Sequence, residues 1–522
     1  MARIIVWSFV LLIPIAYAAT VVALPNFSGL RVRPYVLLVI LVMLAFGMPV
    51  FQRPHRTFWI VVPAAIALIP AVVIARSFGR IDMLAIWFHA DFGMAGATLE
   101  GLRSQILWAV STTVMLVGCF ALLAGLWRWR QRGMILLTLG LIGLNPFVRA
   151  VALDTLTPGI TSDLFERFAA PVLVTVAPDR PDVVVIYLEG TDRQYADPEV
   201  WGDLYAPLKT LAAEGAAFTR VGQMTGTNWS LAGMVATQCG VPVMPFGLFY
   251  KFNYIRLDAF MPGLTCLGDV ALQKGYDTTY VVGGELAFGG IGSFYATHGF
   301  RNMIGAVEIR ARYPADTVAS AFGGWVLDDQ IVFDTARQEL DRMVSQTAPF
   351  LLVVETIGPH DMKGVLSRRC NDGKTAALSP DVAKVVQCLL DGTLSFVRET
   401  QRLHAATRPD RDLRFVTLSD HLSHSTGMLP MVAPAYAGAN TAIFVGGPLR
   451  GGQQVHKPGA MIDIYPTMLE WLGFAAAPVS AGLGQSLLGQ QPTVVEVHGM
   501  ATLDRMVTSD VPLSKAIWGI EQ

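Results

Sequence analysis

The clearest chemical signal in this sequence is a hydroxyl-rich segment, Thr225-Gly226-Thr227-Asn228-Trp229-Ser230, that leads directly into an apolar, helix-like run at 231–239. A hydroxyl at the start of a helix lies beside unpaired backbone N–H groups and a partial positive charge, and both favour a phosphate or sulfate group. Thr227 is therefore a candidate nucleophile for attack on an anion. The alternative is an ordinary helix cap at Thr227 or Ser230, which is the commoner use of these residues.

Three residues at the ends of apolar runs complete a metal-binding set with the Thr227 hydroxyl. Glu189 follows one such run, and Asp420 and His421 follow another. Zinc and manganese accept this mixture of carboxylate, imidazole and hydroxyl ligands. A metal on the threonine oxygen would lower its pKa and activate a hydroxyl that is otherwise a poor nucleophile. We therefore predict one divalent ion, Mn²⁺ or Zn²⁺ with Mg²⁺ as a further option, held by Glu189, Thr227, Asp420 and His421.

Further polar residues are weaker candidates for the same site. His360 follows an apolar run at 350–354, and its neighbour Lys363 would suit an anion. His424 could equally pair with a loop carbonyl, and His456 could be an exposed loop histidine, so neither needs a role in the site. The pair Asp328-Asp329 is interpreted as the start of a helix, where carboxylates are favoured.

Alternating strands and helices must position these residues. Continuous, β-branched apolar runs at 182–188, 279–282, 350–354, 414–418 and 442–445 are typical of strands buried on both faces of a largely parallel sheet. Helix-like stretches lie between them, at 204–215, 266–274, 328–345, 380–406 and 461–472. This alternation indicates an α/β domain, in which ligands gather beyond the carboxyl ends of the strands. Glu189, His360 and the Asp420-His421 pair are all predicted at that edge.

The first third of the chain is far more apolar than the rest. About five stretches are long enough to cross a bilayer, which takes roughly 20 residues, and they lie at 4–24, 35–51, 58–75, 106–127 and 134–151. We predict a membrane domain at 1–154, a juxtamembrane tether at 155–180 and a catalytic domain at 181–522. The segment 81–89 is interpreted as an interfacial stretch on the outer face. The formal net charge of −1 gives no basic field that would attract nucleic acid.

Basic residues in the short loops predict the orientation. Arg53 and Arg56 mark one cytoplasmic loop and the denser segment 128–132 marks another, which places the domain after the last span outside the cytoplasm. Arg31 and Arg33 fall on the opposite side and are a minor objection. The first span is expected to be an anchor, although Ala16-Tyr17-Ala18 resembles a signal-peptide cleavage site.

Cysteine usage agrees with an exported domain. Cys119 lies in a predicted span, while the other four cysteines lie in the predicted soluble part. An even number there suggests two disulfides, for which three pairings are open. The nearest-neighbour pairing would join Cys239 to Cys266 and Cys370 to Cys388, and free buried thiols are the alternative.

Several segments of the soluble part resemble the sulfatase and lipoteichoic acid synthase branch of the alkaline phosphatase superfamily. The most specific is 226–240, and the resemblance extends from about Pro181 to Leu472. The other segments that carry it are Tyr187-Leu188-Glu189, Cys266-Leu267-Gly268-Asp269, Thr297-His298-Gly299-Phe300, Trp325 with Asp328-Asp329, and Ser419-Asp420-His421-Leu422. The family's metal ligands and threonine nucleophile correspond here to Glu189, Thr227, Asp420 and His421.

The resemblance implies a mixed-sheet catalytic domain on the periplasmic side of a bacterial inner membrane. The implied activity is a phosphoglycerol transferase, which moves glycerol phosphate from phosphatidylglycerol to a periplasmic glucan or similar glycan through a phospho-threonine intermediate. His360 is the candidate for protonating the leaving oxygen or positioning the donor.

Two departures from the family pattern bear on the substrate. The segment 283–290 lacks the basic and histidine residues that lipoteichoic acid synthases carry near glycerol phosphate. A phosphoethanolamine transferase acting on lipid A or a glycan is therefore the alternative. The Cys-x-Pro-x-Arg pattern from which true sulfatases make formylglycine is absent around Thr227, so sulfate-ester hydrolysis is not expected. A catalytically inactive receptor is disfavoured because all four candidate metal ligands are present.

Overall fold

The structure is a computed structural model that describes residues 160–174, 180–244, 259–323, 326–360, 364–370, 381–423 and 438–520, with isolated positions among residues 88–152. The chain divides into two compact units, Met1–Met83 with Leu99–Pro158 and Leu84–Thr98 with Gly159–Gln522. The predicted membrane spans lie outside the described residues, except for isolated positions within 134–151, and Cys119, Lys363 and His424 also lie outside them. Among the residues that are described, none of the helices has both the length and the apolar character needed to cross a bilayer.

The second unit is built around a mixed sheet with helices on both faces. Its strands are β1 Asp182–Leu188, β2 Gly215–Phe218, β3 Val221–Gly222, β4 Asp277–Val282, β5 Asn302–Ile304, β6 Phe350–Glu355, β7 Leu413–Ser419, β8 Ala442–Val445, β9 Gln453–Val455, β10 Gly459–Ala460, β11 Ser480–Ala481 and β12 Gly484–Gln485. Eight of them form the main sheet in the order β5-β4-β6-β1-β7-β8-β2-β9. Neighbours from β5 to β7 are parallel, whereas β8 is antiparallel to both β7 and β2. The α/β prediction is confirmed for this part of the chain.

The α-helices of the described residues are short, except for two that cover one face of the sheet. They are α1 Leu164–Arg167, α2 Pro198–Trp201, α3 Ala206–Glu214, α4 Ser230–Cys239, α5 Leu267–Gln273, α6 Ile291–Thr297, α7 Ala306–Arg312, α8 Ala315–Ala321, α9 Asp329–Val344, α10 Asp381–Thr407, α11 Ile464–Trp471, α12 Val494–His498, α13 Met500–Ser509 and α14 Val511–Ile517. The long helices α9 and α10 pack on the sheet face opposite α4.

Strand β1 is buried on both faces, which explains its uninterrupted apolar sequence. Val183, Val185 and Tyr187 belong to the core cluster that contains α4 and α11. Val184, Ile186 and Leu188 belong to the cluster that contains α9 and α10. Because side chains alternate along a strand, a central parallel strand must be apolar at every position. The five predicted strands all appear in the main sheet.

Both disulfides follow the nearest-neighbour pairing. Cys239 is bonded to Cys266 at a sequence separation of 27, and Cys370 is bonded to Cys388 at a sequence separation of 18. The first links the end of α4 to the residue that precedes α5. Closing loops of this size stabilises a fold by about 3 kcal/mol, chiefly by restricting the unfolded chain.

Residues 160–174 pack against the rest of the second unit. Leu164 is fully buried, and the Ala169 N–H donates to the Gly482 carbonyl over 2.9 Å. Asp510 accepts hydrogen bonds from the Ser162 hydroxyl and the Phe165 N–H. This part of the predicted tether is therefore an ordered part of the fold.

Candidate active site

Strand register brings the predicted carboxylates and imidazole together. β1 pairs directly with β7, with Leu188 opposite Ser419, so the next residues along each strand, Glu189 and Asp420, face each other at the carboxyl edge. Parallel strands all deliver their ends to one edge, which is why residues far apart in sequence meet here.

Glu189, Asp420 and His421 form a compact buried cluster. His421 Nε2 lies 3.2 Å from Glu189 Oε1 and 3.3 Å from Asp420 Oδ2. One ligand atom from each residue lies within 4.8 Å of the others, and all three side chains are buried. His421 Nδ1 lies 2.8 Å from the Leu422 carbonyl. A proton on Nδ1 would therefore be held by that carbonyl, and Nε2 is the ring nitrogen on the side of the two carboxylates, where a metal would bind.

Asp420 shows how a cation would fit. Its Oδ1 accepts hydrogen bonds from the backbone N–H groups of Gly190, at 2.8 Å, and His421, at 2.9 Å. Its Oδ2 is buried and makes no hydrogen bond, although His421 Nε2 lies 3.3 Å away. An unsatisfied buried carboxylate oxygen is costly, and a metal bond would satisfy it. These residues therefore fit a divalent cation.

The pKa values of the cluster residues also agree with a site for a divalent cation. Burial, together with the nearby Asp420 carboxylate, raises the pKa of Glu189 to about 8. Burial disfavours the charged imidazole, but the Asp420 and Glu189 carboxylates outweigh that effect and raise the pKa of His421 to about 10. Glu355, at the end of the neighbouring strand β6, is also buried and has a pKa well above its usual range. Carboxyl groups are thus crowded into a buried site where they resist ionisation, and a divalent cation would allow them to ionise together.

Thr227 does not cap the helix that follows it. Helix α4 begins at Ser230, and its N-cap residue is Trp229, whose side chain makes no capping hydrogen bond to the helix. Thr227 lies three residues before α4 and is fully buried. Its hydroxyl donates to the Met224 carbonyl over 2.9 Å and accepts from the Met224 N–H over 3.1 Å. The helix-cap interpretation is therefore wrong for both Thr227 and Ser230, because neither side chain bonds to the first turn.

The first turn of α4 packs against the cluster. The Ser230 hydroxyl donates to Glu189 Oε2 over 3.3 Å. At Gly233, a Cβ atom would lie only 1.6 Å from the Asp420 carbonyl oxygen, so glycine alone permits this approach. The segment that carries Thr227 therefore leads directly into a turn that touches two of the predicted metal ligands.

His360 ends an anchored turn beyond strand β6. Residues Gly358–His360 form a single 3₁₀ turn. The buried Asp329 Oδ1 accepts the N–H groups of Ile357, at 2.8 Å, and Gly358, at 3.0 Å. Thr356, just before the turn, accepts the Glu189 N–H over 3.1 Å. The backbone leading to His360 is thus connected to the backbone of a predicted metal ligand.

Asp328 and Asp329 have different roles. Asp328 caps α9 by accepting the N–H groups of Gln330 and Ile331, which confirms the predicted helix start. Asp329 instead supports the turn before His360, and burial raises its pKa to about 7. Sequence analysis missed this role because a carboxylate pair before a helix is fully explained by capping.

Two further groups of polar residues do not join the cluster. His456 Nδ1 lies 2.7 Å from the Thr219 hydroxyl at an exposed position. Cys266, Asp269 and His298 lie close together, but the Cys266 sulfur is in a disulfide and Asp269 accepts the Cys266 N–H. This second group therefore supports the fold rather than offering a complete metal site.

The fold and this site define the class of the protein. The profile of the sulfatase family matches residues 181–474, and the chain belongs to that family. A solved structure of an alkaline phosphatase superfamily protein from Vibrio parahaemolyticus superposes with a TM-score of 0.50 at 16% identity, covering 71% of this chain and 96% of that one. This likeness supports the α/β fold of the second unit.

Two curated relatives carry the name of a particular enzyme. The chain is 29% identical over 360 residues to phosphoglycerol transferase I of Escherichia coli O127:H6. It is 28% identical over 352 residues to phosphoglycerol transferase I of Salmonella arizonae. Each match covers 65% of this chain and 44% of the relative, so it spans less than half of the relatives' length.

Proposed function

We propose that this chain is a metal-dependent phosphoglycerol transferase that moves glycerol phosphate from phosphatidylglycerol to a periplasmic glucan or similar glycan. The observation that carries the proposal is the buried Glu189, Asp420 and His421 cluster, with the unsatisfied Asp420 Oδ2, packed against the first turn of α4. The similarity to phosphoglycerol transferase I supports the choice of transferred group.

The proposed metal ligands are Glu189, Asp420, His421 and the Thr227 hydroxyl. A divalent ion there, Mn²⁺ or Zn²⁺, would neutralise charge on the phosphoryl oxygens and lower the pKa of the threonine hydroxyl. The backbone of Met224 acts on the same change in two ways, because its carbonyl opposes the loss of the proton and its N–H favours it. When the Thr227 hydroxyl loses its proton, the hydrogen bond to the Met224 carbonyl is lost, but the N–H of Met224 still donates to the oxygen. That donor would stabilise the negative charge.

The transfer takes place in two displacements. Thr227 Oγ1 attacks the lipid phosphorus, a P–O bond forms, and the bond to the diacylglycerol oxygen breaks. The hydroxyl proton ends on that leaving oxygen, with His360 as the proposed acid. A glycan hydroxyl then attacks the same phosphorus and gives its proton back to Thr227 as the threonine oxygen leaves. Covalent catalysis of this kind divides one difficult step into two easier ones.

The proposal includes the location of the site. A membrane domain at 1–154 with about five spans and a juxtamembrane segment at 155–180 would hold the catalytic domain, 181–522, on the periplasmic face of the inner membrane. This location gives the site access to a lipid donor. It rests on the apolar sequence of the first third of the chain and on the basic residues of its loops.

The covalent intermediate provides the test. The metal-loaded protein is incubated with phosphatidylglycerol without acceptor, and its intact mass is compared with that of Thr227→Ala. We expect a glycerophosphoryl adduct on the wild-type chain alone; an equal adduct on both, or on neither, would contradict the proposal. Parallel incubation with head-group-labelled phosphatidylethanolamine tests the alternative donor, since ethanolamine phosphate on Thr227 would replace glycerol phosphate as the transferred group.

A further inference from the structure

The loop that carries Thr227 is held from two sides. On one side, the Val243 N–H donates to the Gly226 carbonyl over 2.8 Å. On the other, the Thr225 N–H donates to Asp504 Oδ1 over 2.6 Å. Asp504 lies on α13, 279 residues further along the chain and beyond the part that the sulfatase profile matches.

Helix α13 is firmly seated beside this loop. Leu503, Met506 and Val507 are buried and share a core cluster with Met224 and Trp229. The apolar face of α13 therefore fixes its position, and Asp504 projects from it to the Thr225 backbone. Because packing fixes the position of α13, the Asp504 carboxylate is a fixed acceptor. The hydrogen bond to it therefore limits movement of the loop at Thr225.

The following helix holds the far end of the same stretch. Trp518, just after α14, donates from Nε1 to the Met244 carbonyl over 2.9 Å. Gly263 packs against the backbone of α14 so closely that a Cβ atom would lie 2.1 Å from the Ala516 carbonyl oxygen. The C-terminal helices thus contact both ends of the stretch from Thr225 to Met244, which contains the nucleophile loop and all of α4.

Because of the local backbone, the hydrogen bond at Thr225 affects the position of the Thr227 hydroxyl. Gly226 has a φ of +79°, and the Thr227 N–H donates back to the Met224 carbonyl over 3.1 Å. The turn is therefore tight, and a rotation at Thr225 would displace the Thr227 hydroxyl. Hydrogen bonds to ionised acceptors are roughly twice as strong as neutral ones. Displacement of a reacting group by about 1 Å can slow a reaction on the order of a hundredfold.

We propose that Asp504 is a positioning residue for the Thr227 nucleophile, supplied by a C-terminal helix outside the sulfatase-family region. The inference rests on the proposed function, because it takes Thr227 as the nucleophile. A carboxylate at this position would repel a substrate phosphate, so its use is to orient the loop rather than to bind the donor.

The test uses the full-length, metal-loaded protein and three variants. Asp504→Ala removes the acceptor, whereas Asp504→Asn keeps an oxygen that can accept the Thr225 N–H. Asp510→Ala is the matched control, because Asp510 caps α14 and binds Ser162 but does not contact the nucleophile loop. For each variant we would measure kcat and KM for transfer from phosphatidylglycerol, the melting temperature, and amide hydrogen exchange of the peptide that spans 221–229.

We expect Asp504→Ala to lower kcat about tenfold with KM nearly unchanged, and to speed exchange at Thr225. Asp504→Asn should restore kcat to within about threefold of the wild type, since only the charge contribution to the hydrogen bond is lost. Asp510→Ala should lower the melting temperature without changing kcat. Equal losses of kcat in Asp504→Ala and Asp510→Ala would show a general stability effect and overturn the inference.

Hydrogen exchange separates this inference from the proposed function. If exchange at Thr225 is unchanged in Asp504→Ala, the restraint on the loop is wrong, whatever Thr227 does. If exchange rises but Thr227→Ala keeps full turnover, the proposed nucleophile is wrong, and the positioning role is overturned with it.

Discussion

Replacing Gly233 by alanine tests how closely α4 must approach the proposed metal site. Gly233 is in the first turns of α4, where a Cβ atom would lie 1.6 Å from the Asp420 carbonyl oxygen and 2.9 Å from the Met461 methyl group. Real Cβ contacts are not shorter than 3.0 Å. The methyl group therefore has to push the helix and the end of β7 apart by about 1.4 Å.

Two effects of opposite sign act on the stability of Gly233→Ala. Alanine favours a helix over glycine by about 1 kcal/mol. Forcing an extra carbon into a packed interior costs about 1–3 kcal/mol, and the clash here is with backbone that cannot rotate away. Because the clash is with backbone, the cost should lie in the upper part of that range, at about 2–3 kcal/mol, which leaves a net loss of about 1–2 kcal/mol in the free energy of unfolding.

Gly233→Ala should affect turnover and metal binding more strongly than it affects the free energy of unfolding. The displaced backbone belongs to Asp420, and the neighbouring His421 would move with it. A displacement of about 1 Å at a reacting group can slow the reaction on the order of a hundredfold. We therefore expect turnover to fall about a hundredfold and Mn²⁺ or Zn²⁺ to bind more weakly in Gly233→Ala.

Denaturant unfolding, metal titration and turnover of the purified full-length variant provide the assay. Gly489→Ala is the control, because its nearest neighbour, the Ser486 carbonyl oxygen, would be 3.9 Å from the new Cβ atom. That variant should match the wild type in all three measurements. If Gly233→Ala is as stable as the wild type or more so, and keeps its turnover and metal affinity, the close approach of α4 to Asp420 is refuted.

Three further predictions concern the metal, the His360 turn and pH. Chelation should lower the melting temperature, because the buried Glu189 and Asp420 carboxylates then lack a counter-ion, and a metal at about 100 times its Kd should restore about 2.7 kcal/mol; equal melting curves with and without chelator would contradict the metal site. Asp329→Ala should lower turnover more than Asp328→Ala, because only Asp329 holds the turn before His360, while both should lower the melting temperature; equal turnover in the two variants would refute that role. Burial raises the pKa of Asp463 from 3.8 to about 7, so the folded state binds the extra proton and the free energy of unfolding should fall as pH rises from about 4 to about 7. Asp463→Asn should make the free energy of unfolding, measured by denaturant, less dependent on pH between about 4 and about 7. An unchanged pH dependence in this variant would argue against the raised pKa of Asp463.

Local sequence was sufficient for most of the secondary structure around the site. The predicted helix at 266–274 is observed as Leu267–Gln273, and the one at 328–345 as Asp329–Val344. Strand β1 was predicted from its uninterrupted apolar run at 183–188, and β7 from the mostly apolar run at 414–418; both strands are buried on their two faces. The short strands β2, β5 and β9 were missed, because three or four residues at a sheet margin leave no periodic signal.

The amino-acid sequence by itself determined which residues could form the metal cluster. Glu189 and the Asp420-His421 pair each follow a buried strand, and parallel strands bring their carboxyl ends to one edge. Cysteine spacing also favoured the observed disulfides, since the nearest cysteines in sequence are the ones that are bonded.

Tertiary structure alone decided how those residues are supported. The contact of Gly233 with Asp420, the hold of Asp329 on the turn before His360, and the hydrogen bond from Thr225 to Asp504 each join segments that are distant in the chain. Periodicity and capping patterns report only on neighbours a few residues apart. A side chain with an adequate local explanation, such as a carboxylate on a surface helix, therefore shows its second partner only once the chain has folded.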